Sequence, residues 1–156
     1  AYLISQYLLS SQKSFARIMA PNLDYPGTFL WINRLNLVGP PKREKERPHY
    51  QGQVVLLVNE STLSHAEWSA MALQTVPGSV TIGRHTAGAD GNVFRTVWPG
   101  NIKGMISGLG IFYPDGTPTQ RVGVKVDVEV RPTVEGIREA RDEVLERAVQ
   151  YIQDKR

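Results

Sequence analysis

The residues of this 156-residue chain best placed to do chemistry are Ser64 and the polar groups around it. A continuous apolar run, Val54-Val55-Leu56-Leu57-Val58, precedes a polar turn, Asn59-Glu60-Ser61-Thr62. Ser64 follows, and beyond it Trp68, Met71, Ala72 and Thr75 recur at three- and four-residue steps. The run does not alternate and is rich in valine, which predicts a strand buried on both faces. The spacing after it predicts a helix over 64–75 with one apolar face. A strand therefore delivers a serine to the first turn of a helix. Backbone N–H groups there lack intrahelical acceptors, and the helix dipole favours negative charge. Acyl transfer needs such donors for its oxyanion. Serine is equally an ordinary helix cap, and the pattern alone leaves both readings open.

Other elements must hold that junction. Val80-Thr81-Ile82 reads as a second short strand leading into a Gly-rich turn, Thr86 to Gly91. Upstream, Ala1 to Leu9 carries apolar residues at helical spacing, and Phe15 to Met19 alternates weakly. Pro21 to Gly27 has turn chemistry, Thr28 to Ile32 looks like a strand, and 40–48 is a polar, Pro-bounded loop. Downstream, Val93 to Trp98, Ile102 to Ile106 and Gly110 to Tyr113 are strand candidates. Pro114-Asp115-Gly116-Thr117 is a strong turn. Val122 to Val130 alternates with period two, which predicts a half-exposed strand. Thr133 can cap a final helix with the apolar stripe Ile137, Val144, Leu145, Ala148 and Ile152. The mixture predicts a single α/β domain over 1–156.

Composition removes several function classes. With no cysteine, disulfides, thiolate catalysis and Cys-based zinc sites are excluded. The net charge of +3 is small, and the one basic cluster, Lys42 to Arg47, is sign-mixed. It reads as a solvated loop and not as a nucleic-acid patch, so no nucleic-acid partner is expected. No apolar run approaches the roughly 20 residues of a membrane span. The chain opens inside an apolar helical pattern without an initiator Met, so it reads as a piece of a longer polypeptide. No spaced ligand set accompanies Asp90 or Asp115, so both read as turn residues, and neither metal nor cofactor is expected. Glu67 reads as a first-turn helix charge or as a supporting group near the site, and His49 as a solvated loop residue. Trp31, Trp68 and Trp98 read as core or groove surface.

The order of these residues carries further. Val54-Val55-Leu56-Leu57-Val58-Asn59-Glu60, Ser64 and Glu67, then Ala70-Met71-Ala72-Leu73-Gln74, then Ile82-Gly83 and Thr86-Ala87-Gly88, resembles the catalytic core of the tail-specific, or C-terminal processing, serine peptidases. Tyr113 to Gly116, Gln120 to Val124, Asp127 to Val130 and Pro132-Thr133 look like that family's closing segment. The resemblance implies a Clp-protease/crotonase-like α/β fold of stacked ββα units. This chain would be the C-terminal part of the catalytic domain, without its N-terminal portion.

By the same resemblance Ser64 is the nucleophile, the backbone N–H of His65 is one oxyanion donor, and a second donor comes from upstream sequence. The family's lysine base would fall at Ala89, and a methyl group cannot accept a proton. The chain is therefore more similar to the lysine-lacking, tricorn-core-like branch, which takes a histidine from earlier in its chain. That branch's late acidic position falls near Gln120, which can hydrogen-bond and orient but supplies no charge. Within the chain His85, just before the Gly-rich turn, is the alternative base. The implied partners are a polypeptide substrate, the N-terminal remainder of the same polypeptide and a second copy of the chain. The implied setting is a bacterial periplasm, cell envelope or exterior, and the fragment alone would be inactive. The competing expectation is a catalytically inactive peptide- or ligand-binding relative. An esterase is disfavoured because no Gly-x-Ser-x-Gly elbow surrounds Ser64.

Overall fold

The computed structural model describes residues 1–32, 35–41 and 48–155. The expected solvated loop at 42–47 lies outside the described residues. In chain order the elements are α1 (Tyr2–Leu8), β1 (Lys13–Pro21), β2 (Phe29–Trp31), β3 (Asn36–Val38), β4 (Val55–Val58), α2 (His65–Leu73), β5 (Val80–Gly83), β6 (Val93–Trp98), β7 (Ile102–Ser107), β8 (Gly110–Phe112), β9 (Val128–Glu129), α3 (Val134–Arg138) and α4 (Glu143–Gln153). This is the mixed α/β architecture that the sequence predicts.

Two sheets matter for the site. β4 and β5 run parallel, from Val55 opposite Val80 to Val58 opposite Gly83, with α2 as their crossover, and β9 adds in parallel beside β5. The second sheet is antiparallel, with β1 pairing β2, β3 and β8. One core joins both sheets to α2. Phe15 and Ala16 from β1, Val58 from β4, Ala70, Met71 and Ala72 from α2 and Ile111 from β8 are all buried in it. Open α/β sheets place ligands beyond the carboxyl ends of their parallel strands. Here the loop after β4 carries Ser64 and the loop after β5 carries residues 84–92. β6 and β7 form a separate antiparallel hairpin, Val93 opposite Ser107 to Trp98 opposite Ile102, with Phe94, Val97, Trp98 and Met105 exposed.

Three expectations change. β4 is not buried on both faces, because Leu57 is 45 % exposed. The alternating stretch before Val130 yields only the two-residue β9. Within that stretch Val122 is exposed, but from Val124 onward burial does alternate, with Val124 buried, Val126, Val128 and Val130 half-buried, and Lys125, Asp127 and Glu129 exposed. Its backbone donors, however, are taken by other groups. Val124 N–H donates to Thr86 Oγ1 (2.9 Å), Lys125 N–H to Tyr113 Oη (3.0 Å) and Asp127 N–H to the Thr81 carbonyl (2.9 Å). Burial periodicity therefore extends further along the chain than the short ladder with β5. The single final helix divides in two. Thr133 caps α3 as expected, its hydroxyl accepting from Gly136 N–H at 2.9 Å. Ala140 then sits at φ 53°, which a right-handed helix cannot continue through, and Asp142 caps α4 by accepting from Leu145 N–H at 2.9 Å.

Candidate active site

Ser64 is the N-cap of α2 and has φ 53° and ψ −121°. Among non-glycine residues this is a sparsely populated backbone state that persists only where surrounding structure imposes it. The imposing contacts are visible. Ser64 N–H donates to the Ala89 carbonyl at 3.0 Å and to Glu67 Oε2 at 3.1 Å. The bend turns the chain sharply from the β4 loop into the helix. It leaves the His65 N–H, at the first helical position, with no acceptor among the described residues. That donor lies where the positive end of α2 is strongest.

Glu67 holds this junction to the Gly-rich loop. Its side chain is fully buried. Besides Ser64 N–H, the carboxylate accepts from Thr86 Oγ1 at 2.6 Å, Gly88 N–H at 2.7 Å and Ala89 N–H at 3.0 Å. A buried charge is tolerable only when hydrogen-bonded in this way. Glu67 is therefore an anchor at the base of the site, the second of the two roles the sequence left open for it. Gly88 explains why the loop can approach so closely. Its φ is +62°, and a Cβ there would lie 2.9 Å from the backbone N of Arg121. The Arg121 N–H in turn donates to the Gly88 carbonyl at 2.7 Å.

Ser64 opens onto a cleft of about 240 Å³. Ile18, Trp68, Leu109 and Ile111 give it apolar walls, and His65, Asp90 and Asn92 line it with Ser64. Trp68 is fixed by an edge contact with Phe15, their ring centroids 4.7 Å apart. Asp90 is buried at 4 % exposure. Burial pushes its carboxyl from the ordinary 3.8 up to about 6. Gly91 N–H opposes that rise, the nearby Glu67 charge adds to it, and His65 reduces it.

The residues singled out in the sequence separate in space. Ser64 and His65 share the cleft. His85 is exposed and lines another hollow, with Val124, Val126 and Glu129. Gln120 lies behind the cleft and is committed to backbone. Its amide nitrogen donates to the Asp90 carbonyl (3.0 Å) and to the Leu109 carbonyl, and its Oε1 accepts from Ile111 N–H at 2.9 Å. Asp90 is the residue whose place at the site sequence reasoning missed, while Glu67 takes the second of its two readings, a supporting group near the site. The available signal was the pairing of a Gly-rich loop with an acidic third helix residue, which the capping pattern concealed. Among the described residues no group of three or more His, Asp or Glu could hold a metal ion, and no helix is long and apolar enough to cross a membrane.

Residues 13–130 match the model of peptidase family S41. The chain belongs to that family. No curated protein matches it. Among solved structures, the S41 chain is similar to a candidate peptidase from Parabacteroides merdae ATCC 43184, with a TM-score of 0.82 and 19 % identity over 96 % of this chain and 46 % of that one. It is also similar to mature CPAF in complex with lactacystin, at TM-score 0.59 and 25 % identity over 76 % of this chain and 23 % of that one. The photosystem II D1 C-terminal processing protease matches at TM-score 0.51 and 20 % identity, over 82 % of this chain and 30 % of that one. The S41 chain thus spans less than half the length of these structures.

Proposed function

We propose that the chain is the nucleophile-bearing part of a serine peptidase that cleaves polypeptides. The observation that carries this reading is the strained, positive-φ Ser64 at the start of α2, beside an unsatisfied His65 N–H and above an apolar-walled cleft. Strain imposed by several buried contacts at a cleft residue is a mark of function. Ser64 Oγ attacks the scissile carbonyl while a general base takes its proton. The oxyanion is held by the His65 N–H and a second donor. The amine leaves with the proton, and water then hydrolyses the acyl-enzyme. The base and the second donor come from polypeptide outside these 156 residues. Ala89 fits this assignment, since a methyl group stands where the resemblance puts a lysine, and so does His85, which faces a different hollow. This portion alone would then be inactive. Through its resemblance to tail-specific peptidases we assign the enzyme to a bacterial periplasm, envelope or exterior.

The test uses the full-length protein and a serine-reactive fluorophosphonate, with peptide mapping. The expected result is a Ser64 adduct, with Ser64→Ala abolishing labelling and lowering peptide turnover by 10³-fold or more while thermal stability stays close to the parent. Unlabelled Ser64 in a folded full-length protein would instead support the second reading, a peptide-binding relative without catalysis. Ala89 and the uncharged Gln120 are the observations that favour it.

A further inference from the structure

Asp90 is the cleft residue that the Ser64 mechanism leaves without a role. Its Oδ1 accepts from Gly91 N–H at 2.8 Å. Its Oδ2 is buried and has no hydrogen-bond partner among the described residues. An asparagine would make the Gly91 turn equally well through its one carbonyl oxygen, and without burying charge. The turn explains one oxygen of Asp90 and leaves the other, with the charge, unexplained. Buried carboxylates with an open acceptor are unfavourable, and natural structures keep them where a partner arrives during function.

The position of Asp90 is also tightly set. Gly91 passes so close to the Leu109 carbonyl and Gln120 Nε2 that a Cβ would collide with both, and Gln120 clamps the Asp90 carbonyl at 3.0 Å. The resemblance puts the acid of the lysine-lacking branch near Gln120. With its amide oxygen on the Ile111 N–H and its amide nitrogen on the Asp90 and Leu109 carbonyls, Gln120 is held to backbone and carries no charge to offer a base. What it does instead is fix residue 90, whose carboxyl lines the Ser64 cleft. The titratable groups facing Asp90 are Glu67 and His65, both from α2.

We propose that Asp90 is the positioning carboxylate of the Ser64 site, its Oδ2 accepting the N–H of the imidazole whose other nitrogen takes the Ser64 proton. This rests on the serine-peptidase reading above, with its base from outside these residues. The proton moves from Ser64 Oγ to the imidazole and then to the leaving amine. Asp90 stays ionised throughout, fixes the tautomer and ring orientation, and stabilises the imidazolium that forms.

The experiment compares full-length wild type, Asp90→Asn and Ser64→Ala on one peptide substrate from pH 5 to 9. Asp90→Asn keeps the Gly91 turn and removes an unpaired buried charge, so it is expected to fold, with circular dichroism as the check and Asp90→Ala as the second variant. The expected result is a kcat lower by roughly 10³- to 10⁴-fold with KM little changed. The acid limb of the remaining activity moves to lower pH, because the imidazole loses a neighbouring negative charge. A folded Asp90 variant with near-wild-type kcat and an unmoved acid limb overturns the proposal. If Ser64→Ala is dead in that comparison, the serine reading survives alone. If Ser64→Ala still cleaves, both fall together.

Discussion

Two polar clusters flank α2, and they are finished to different degrees. At the C-terminal end of the helix, Gln74 Nε2 donates to Thr81 Oγ1 (2.9 Å) and the Lys125 carbonyl (2.8 Å), while Gln74 Oε1 accepts from Tyr113 Oη–H at 2.8 Å. Tyr113 Oη also accepts from Lys125 N–H, and Asp127 Oδ2 accepts from Thr81 N–H at 2.8 Å. Burial pushes the Tyr113 phenol up to about 12, which keeps it a donor across the physiological range. At the N-terminal end, Glu67 is as well satisfied, yet directly above it Asp90 Oδ2 and the His65 N–H are left open. Closed networks hold elements together, whereas open valences in a fixed frame await a ligand or another group. The same helix therefore has a closed end and an open end.

That contrast can be broken from either side. The largest stability effect is expected at Glu67→Gln. Its amide would set an NH₂ against donors that now point at a carboxylate, at a cost of about 3 kcal/mol. Melting curves should register the loss, and Ser64 labelling of the full-length protein should slow, because the strain on Ser64 is released with the anchor. Gln74→Leu should cost less, about 2 kcal/mol, by stranding the Tyr113 hydroxyl and the Lys125 carbonyl. It should leave the Ser64 labelling rate unchanged in protein that remains folded; a matching fall in labelling would erase the distinction between the two ends.

The smallest effect has the opposite sign. The folded Asp90 carboxyl titrates at about 6 against an ordinary 3.8, so the folded state holds a proton more tightly between those values. Stability contributed by this group falls as pH rises through that window, and the full cost stands above it. Asp90→Asn should therefore raise stability at pH 8 and bring no gain at pH 4. The full displacement corresponds to about 3 kcal/mol, and water in the open cleft reduces the expected gain to about 1 kcal/mol. Urea denaturation at the two pH values measures it, and equal gains at both would show that the charge is not what destabilises.

The sequence disclosed what local patterns encode. The apolar run into β4, the spacing of Met71 and Ala72, and a serine at the junction were enough to place Ser64 at the head of α2. The resemblance then supplied the family to which the S41 chain belongs. What stayed hidden depends on groups far apart in sequence. Alternating valines before Val130 foretold burial but not that Thr86, Tyr113 and Thr81 would take the backbone donors. Asp90 looked like a turn residue, and Oδ1 is one. Only the packing of Leu109 and Gln120 against the loop shows that Oδ2 is stranded. Ala140 carries no turn signal of its own, so the break between α3 and α4 could not be read from it.

The Glu67 anchor also fixes the order of events in folding. Its helix is local, but three of its partners lie 19, 21 and 22 residues further along the chain. Until they dock, Glu67 has only the Ser64 N–H of its own turn, and nothing holds Ser64 at positive φ. Loop closure across those residues must come before the reactive geometry exists. The geometry at the serine thus forms only with that docking and is lost when the docking is undone. A nascent or partly unfolded chain, whose neighbours are themselves unfolded polypeptide, carries an ordinary hydroxyl at residue 64.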